Sequence, residues 1–182
     1  MTKILRLFAL VAAIFALHLP AQAADLENTI YLDVPAGRVV IELRPDLAPH
    51  HVARIKELAR KGFYDGLAFH RVIPGFMVQG GDPKGDGTGG SGQHLKAEFS
   101  AEHHVRGICS MARASDPDSA DSQFFIMLGD APSLDGKYTI WGKVTQGMEF
   151  VDKIKKGDEA NNGVVFQPDH IIRMQVAADV KK

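Results

Sequence analysis

At 182 residues, with 45% hydrophobic and 24% charged side chains, the chain has the size of one globular domain whose core can stand without covalent staples. Its single cysteine, Cys109, excludes an internal disulfide, and with no base beside it in the apolar stretch GICSMAR it reads as a small buried thiol rather than a nucleophile. The formal net charge of −1 argues against nucleic acid or anionic lipid as the main partner, since both require clustered positive charge.

Residues 1–23 have the three parts of a secretory signal: Lys3 and Arg6, an apolar run over 7–19, and Pro20 before the small-residue site Ala21-Gln22-Ala23. The run is too short to span a bilayer comfortably, so cleavage is expected, with no stable membrane association. No cysteine follows the site, so a lipid anchor is not supported. Losing Lys3 and Arg6 leaves 19 basic against 22 acidic residues, a net charge of about −3 on residues 24–182.

In the remaining chain, residues 29–34 and 38–43 alternate in strand fashion about a Pro35-Ala36-Gly37 turn, the pattern of a hairpin. Pro49 then opens a helix in which Val52, Ile55, Leu58 and Ala59 recur at helical spacing until Gly62. Its single apolar stripe predicts a cap on the core. The stretch FHRVIPGFMVQGGD follows at 69–82, a strand broken at Pro74-Gly75 and resumed at Phe76. At strand period Phe69, Arg71 and Ile73 share one face, with His70 and Val72 on the other.

The glycine-rich loop GGDPKGDGTGGSG at 80–92 lacks both the Gly-Lys-Ser/Thr ending of a phosphate loop and the acidic spacing of a calcium loop. Further strands are predicted at 95–98, 107–112, 123–128, 138–144 and 170–176. Met148, Val151 and Ile154 mark a second short helix ending before Gly157. Many short strands with only two helices point to a mainly β fold, a closed antiparallel barrel. No repeat or long linker argues for a second domain.

FHRVIPGFMVQGGD, GICSMAR, SQFFIM at 122–127, LDGKY at 134–138 and WGKV at 141–144, in this order, resemble the cyclophilin family of peptidyl-prolyl cis-trans isomerases from about residue 29 to 176. The MARASDPDSADSQFF segment looks most like bacterial members. The resemblance implies a closed eight-stranded barrel capped by a helix at each end, with the site on an outer face. It also implies catalysis of Xaa-Pro bond rotation without a cofactor, Gly87 to Gly90 being a tight turn near the rim. Phe76, Met77, Phe125 and Leu134 would form an apolar proline pocket, with Tyr138 beside it. Gln79 would hold the guanidinium of Arg71, while Gln123 and the backbone of Ala112 and Arg113 would bind the substrate chain.

The residue chemistry agrees. Arg71 keeps its proton, which rules it out as a general base and suits it to donate hydrogen bonds to an electron pair in a partly dry pocket. Because no general base is needed, His70 is read as structural. Three positions depart from the pattern best known in the family. Ser133 stands where many eukaryotic members carry a cyclosporin-contacting tryptophan, so weak cyclosporin binding is expected; Trp141 is not its replacement, being a core residue of the WGKV strand. Tyr138 replaces a histidine and Arg113 an asparagine, which puts side-chain contacts at Arg113 in doubt but leaves main-chain ones open.

The pairs His50-His51 and His103-His104 diverge on a helix or alternate on a strand, so neither makes a chelate and no metal is expected. The expected partners are proline-containing peptides and unfolded proteins, met by a monomer exported to the periplasm. The competing reading is a non-catalytic module or chaperone that holds proline segments. A pure binder could lose Arg71 and keep its pocket, and this chain retains both.

Overall fold

The computed structural model describes residues 25–181, so the expected leader lies outside them. The first hairpin joins β1 (Thr29–Val34) to β2 (Gly37–Leu43), in register from Thr29 opposite Glu42 to Val34 opposite Gly37. Period-two alternation buries Ile30, Leu32, Val34, Val39, Ile41 and Leu43. On the outer face Arg38 forks onto Asp33 at 2.7 and 2.9 Å and lies over the Tyr31 ring.

Helix α1 (Pro49–Arg60) begins at the proline and buries Val52, Ile55, Leu58 and Ala59 against β7 and β8. Its N-cap residue, Ala48, has no side-chain oxygen to offer the first amides. Glu98 supplies the cap from elsewhere in the chain. Its carboxylate accepts the His50 and His51 amides at 3.2 and 3.0 Å and contacts both ring Nδ1 atoms at 2.7 Å.

This explains why 95–98 is not a strand, contrary to the sequence expectation. Only Leu95 makes a bridge, to Ala120. Ala97 and Glu98 give their amides to Asp118 Oδ1 and Thr139 Oγ1, so side chains satisfy this backbone in place of a ladder.

The other strands are β3 (Arg71–Ile73), β4 (Met77–Gly80), β5 (Ile108–Met111), β6 (Phe124–Met127), β7 (Ile140–Gln146) and β8 (Arg173–Val176), with the short helix α2 (Met148–Val151) packed on β2. They form one antiparallel sheet in the order β3-β4-β6-β5-β7-β2-β1-β8. The expected closed barrel needs a ladder between β3 and β8, and these are the two edges. The sheet is a curled half-barrel. Across the gap the chain is stitched irregularly, with Gly66 N to Ile171 O at 2.8 Å, Ile171 N to Leu67 O at 2.8 Å and Phe69 N to Asp169 O at 2.9 Å. Pro168, which has no N–H to give, and Gln167, at φ 51°, interrupt the second side of this seam.

Strands β4, β5 and β6 bury apolar side chains on both faces and so separate two apolar clusters. The main core holds Val78, Cys109, Met111, Phe124, Ile126 and Trp141 together with the inner faces of β1, β2 and α1. Burial pushes the Cys109 thiol pKa up, in keeping with an inert core residue. The second cluster, on the opposite side of the same strands, gathers Met77, Ile108, Phe125, Met127, Ala131 and Ile140.

Candidate active site

The β3–β4 hairpin turns at Pro74 to Phe76 and sets Arg71 opposite Gln79 and Ile73 opposite Met77. Across the next ladder Gln79 faces Phe125 and Met77 faces Met127. Register alone therefore puts Arg71, Gln79 and Phe125 in one row over three strands, with Met77 one step along on the same face. The Arg71 and Ile73 part of the sequence pattern holds, but Phe69 precedes the strand and packs in the main core with Val72.

Above this face lies a cleft of about 510 Å³. Phe76, Met77, Phe125, Leu134 and Tyr138 line it, and all five belong to the second apolar cluster. The Phe125 and Tyr138 rings meet edge to face at 5.7 Å. On the polar side stand Arg71, Gln79, Ala112 and Arg113.

Arg71 is held from two directions. Its Nη1 donates to Gln79 Oε1 at 3.1 Å; its Nε and Nη2 donate to the main-chain O and side-chain Oδ1 of Asn162, each at 2.9 Å. Gln79 passes the constraint on, its Nε2 donating to Gln123 Oε1 at 3.0 Å, and Gln123 Nε2 donates to the carbonyls of Gly87 and Gly89 at 3.0 and 2.9 Å. Gln123 thus sits behind the main cleft, lining the adjoining depression with Gln79, Ala112 and Arg113. Asp82 shapes the glycine loop by accepting the amides of Lys84, Asp86 and Gly87. Gly87 itself turns at φ 89°, a region other residues resist.

Among the described residues no carboxylate lies within ion-pair distance of Arg71, and burial draws its pKa below the ordinary guanidinium value. A guanidinium so far above neutrality keeps its proton all the same, so the cleft contains a partly desolvated cation beside an apolar floor. His70 departs from the sequence reading in one respect. It borders the cleft instead of facing away, with its ring buried, both nitrogens without a protein partner, and its pKa lowered by desolvation.

Residues 29–176 match the family model for the cyclophilin type peptidyl-prolyl cis-trans isomerase/CLD. The chain belongs to the cyclophilins. It is 57% identical over 173 residues to a probable peptidyl-prolyl cis-trans isomerase of Brucella suis, covering 88% of each chain. It is 49% identical over 135 residues to peptidyl-prolyl cis-trans isomerase B of Bacillus subtilis, covering 73% of this chain and 94% of that one. Among solved structures, cyclophilin AquaCyp293 from Hirschia baltica superposes with TM-score 0.77 at 27% identity, over 87% of this chain and 77% of the other. A Cryptosporidium parvum cyclophilin, determined in the presence of the dipeptide Ala-Pro, gives 0.74 at 30% identity over 81% and 98%. The protein is accordingly a peptidyl-prolyl cis-trans isomerase.

Within this cyclophilin the doubt over Arg113 has a structural answer. Its guanidinium lies 4.7 Å from the Tyr138 centroid and donates only to carbonyls, those of Lys137, Ala114 and Ser115. Arg113 therefore buttresses the wall of the cleft that Tyr138 forms. Behind that wall His104 bridges Asp135 Oδ1 and Ser110 Oγ at 3.0 Å each and stacks on Phe125. Sequence reasoning missed both His104, as a support for the ring, and Asn162. The Asn162-Gly163 pair signals a turn, but nothing in its spacing links it to an arginine 91 positions away.

Proposed function

We propose that this cyclophilin isomerises Xaa-Pro bonds in exported proteins as they fold, with Arg71 donating to the prolyl nitrogen in the twisted transition state. Rotation about a peptide bond is opposed by a barrier of about 20 kcal/mol, because the nitrogen lone pair is delocalised into the carbonyl. Bringing it to roughly 100 turnovers per second requires lowering it by about 5 kcal/mol. At the perpendicular geometry the nitrogen recovers its lone pair, so a donor aimed there binds the twisted form better than either planar one.

The observation that carries this reading is the donor inventory of Arg71. Of its five N–H groups, three are spent on Asn162 and Gln79. Of the other two, Nη1 has only the Met77 sulfur at 4.0 Å, and Nη2 keeps one N–H with no acceptor among the described residues. Arg71 shares the cleft with the apolar side chains of Phe76, Met77, Phe125 and Leu134, which supports a proline ring lying beside these unspent donors. A charge-assisted hydrogen bond contributes about 1.5–3 kcal/mol. The balance of the barrier reduction comes from anchoring the ring on Phe76, Met77, Phe125 and Leu134, and from a cation whose orientation is fixed before substrate arrives. Gln123 and the main chain at Ala112 and Arg113 hold the flanking peptide.

Export rests on the leader pattern of residues 1–23 and places the activity in the periplasm. Weak cyclosporin binding follows from Ser133, which leaves no indole at the rim. The test is cis-to-trans isomerisation of a short Xaa-Pro peptide by residues 24–182, beside Arg71→Ala. The mutant is expected to fold by circular dichroism and to lose at least about a hundredfold in kcat/KM. A folded wild type with no turnover would instead leave a site that only binds proline segments.

A further inference from the structure

Asn162 closes the far side of the arginine, and its placement is built with care. It follows the 3-10 turn Glu159–Asn161 and takes left-handed angles, φ 53° and ψ 30°, which asparagine tolerates better than most residues. Gly163, at φ 77°, is pressed so close to β3 that a Cβ there would collide with Ile73 Cγ1 and crowd the Val72 carbonyl. That approach allows the loop to be laced to the strand: Val72 N to Gly163 O at 2.8 Å, Gly157 N to Val72 O at 2.9 Å and Val165 N to His70 O at 3.1 Å. Val164 also bridges Arg71 and Asp158. The lacing fixes the loop to the same strand that carries the arginine. Both oxygens of Asn162 then meet one edge of the guanidinium while Gln79 takes Nη1.

We infer that Asn162 is a positioning residue for the isomerase reaction, holding the Arg71 guanidinium from the side opposite Gln79 so that the unspent N–H groups face the prolyl nitrogen. The inference deepens the reading of Arg71 given above and rests on it. Two acceptors on different atoms of one residue fix the guanidinium plane, whereas Gln79 alone leaves it free to swing about Cδ–Nε and lets the two Nη groups exchange faster by the hindered rotation about the delocalised Nε–Cζ bond. A planar donor that wobbles presents its protons correctly for only part of the time, which lowers turnover without weakening the grip on the proline ring.

Asn162→Gly separates the two acceptors, because glycine accepts the left-handed backbone and keeps the carbonyl while deleting Oδ1. The expected result is a fall of about tenfold in kcat with KM within twofold and an unchanged thermal midpoint. In ¹⁵N NMR the Arg71 Nη resonances, distinct in the wild type, merge in Asn162→Gly and stay distinct in Asn162→Asp, which retains an oxygen at the same place. Added to Arg71→Ala, whose residual turnover is read by NMR exchange at high enzyme concentration, Asn162→Gly costs nothing further.

If Arg71→Ala collapses turnover while Asn162→Gly keeps the wild-type kcat and Nη signals, the role of Asn162 is overturned and that of Arg71 stands. The same tenfold loss persisting in the Arg71→Ala background would make Asn162 merely structural and also overturn the inference. Wild-type turnover in Arg71→Ala would sink the arginine mechanism itself.

Discussion

On the proposed mechanism the residues around Arg71 divide the work between holding the donor and holding the ring, and kinetics separates the two. Gln79 touches the guanidinium and Gln123 while the apolar floor is built by others, so Gln79→Ala is expected to lower kcat about tenfold with little change in KM. Phe125 is the reverse case. Its ring is 5% exposed and paired with Tyr138, so Phe125→Ala is expected to raise KM several-fold as the proline loses its floor. Steady-state rates on one tetrapeptide series check both, and equal splits for the two variants would contradict this division. Arg71, Gln79, Phe76, Met77, Phe125 and Leu134 could be named from the sequence because they occur in long unusual motifs; cross-strand register brings Arg71, Gln79, Met77 and Phe125 onto one face, and Phe76 joins them from the turn. Asn162 could not be, since a turn asparagine announces only its own backbone. The partnership of Arg113 with Tyr138 was also hidden, because it depends on two loops that meet only in the folded chain.

At the level of elements, α1 shows how a helix without a local cap is completed from a distance. Ala48 offers nothing, so Glu98 satisfies two first-turn amides and both histidine rings from a segment that gives up strand pairing to do so. Its carboxylate pKa is held down at about 2 by these hydrogen bonds, against the opposing cost of burial. Glu98→Ala is expected to destabilise the protein by about 2 kcal/mol, lowering the thermal midpoint by roughly 5 °C, because it strands two helix amides and the buried His51 Nδ1. Glu98→Gln, which keeps an acceptor oxygen, is expected to lose about half of that. Midpoints by calorimetry decide it, and an unchanged value in Glu98→Ala would show that water caps the helix equally well. The expected strand at 95–98 failed for the same reason: β-like side-chain alternation does not reveal that Glu98 is needed elsewhere.

On the scale of the whole molecule, periodicity located the strands in chain order but added one at 95–98, the number eight being what the resemblance implied, and closure did not follow from either. A two-residue repeat says which face is buried but not whether the first and last neighbours meet, and here only the segments preceding β3 and β8, 66–69 and 169–171, meet, in a seam instead of a ladder. The half-barrel still encloses buried histidines, and these set its response to acid. His51, His70 and His104 all have pKa values lowered by burial, against the partial pull of Glu98, Asp82 and Asp135. For each, the unfolded chain takes up a proton near pH 6.5 before the folded chain does, so stability rises with pH in that window and falls as pH drops below it. Glu98 acts with the same sign lower down. Its folded value of about 2 lies below the unfolded 4.5, so its contribution is complete above 4.5 and is lost as pH falls towards 2. Exposed His103, raised by Asp135, has the opposite sign: its contribution is present below 6.5 and lost as pH rises through the folded value. With three buried histidines against one exposed whose pKa is raised, the thermal midpoint is expected to fall between pH 7.5 and 5 and to fall further below 4.5 as Glu98 is protonated. A midpoint flat from pH 7.5 to 5 would mean that the buried rings gain protons without opening the fold. The isomerase rate should be nearly independent of pH over the same range while the protein stays folded, because Arg71 does not titrate there.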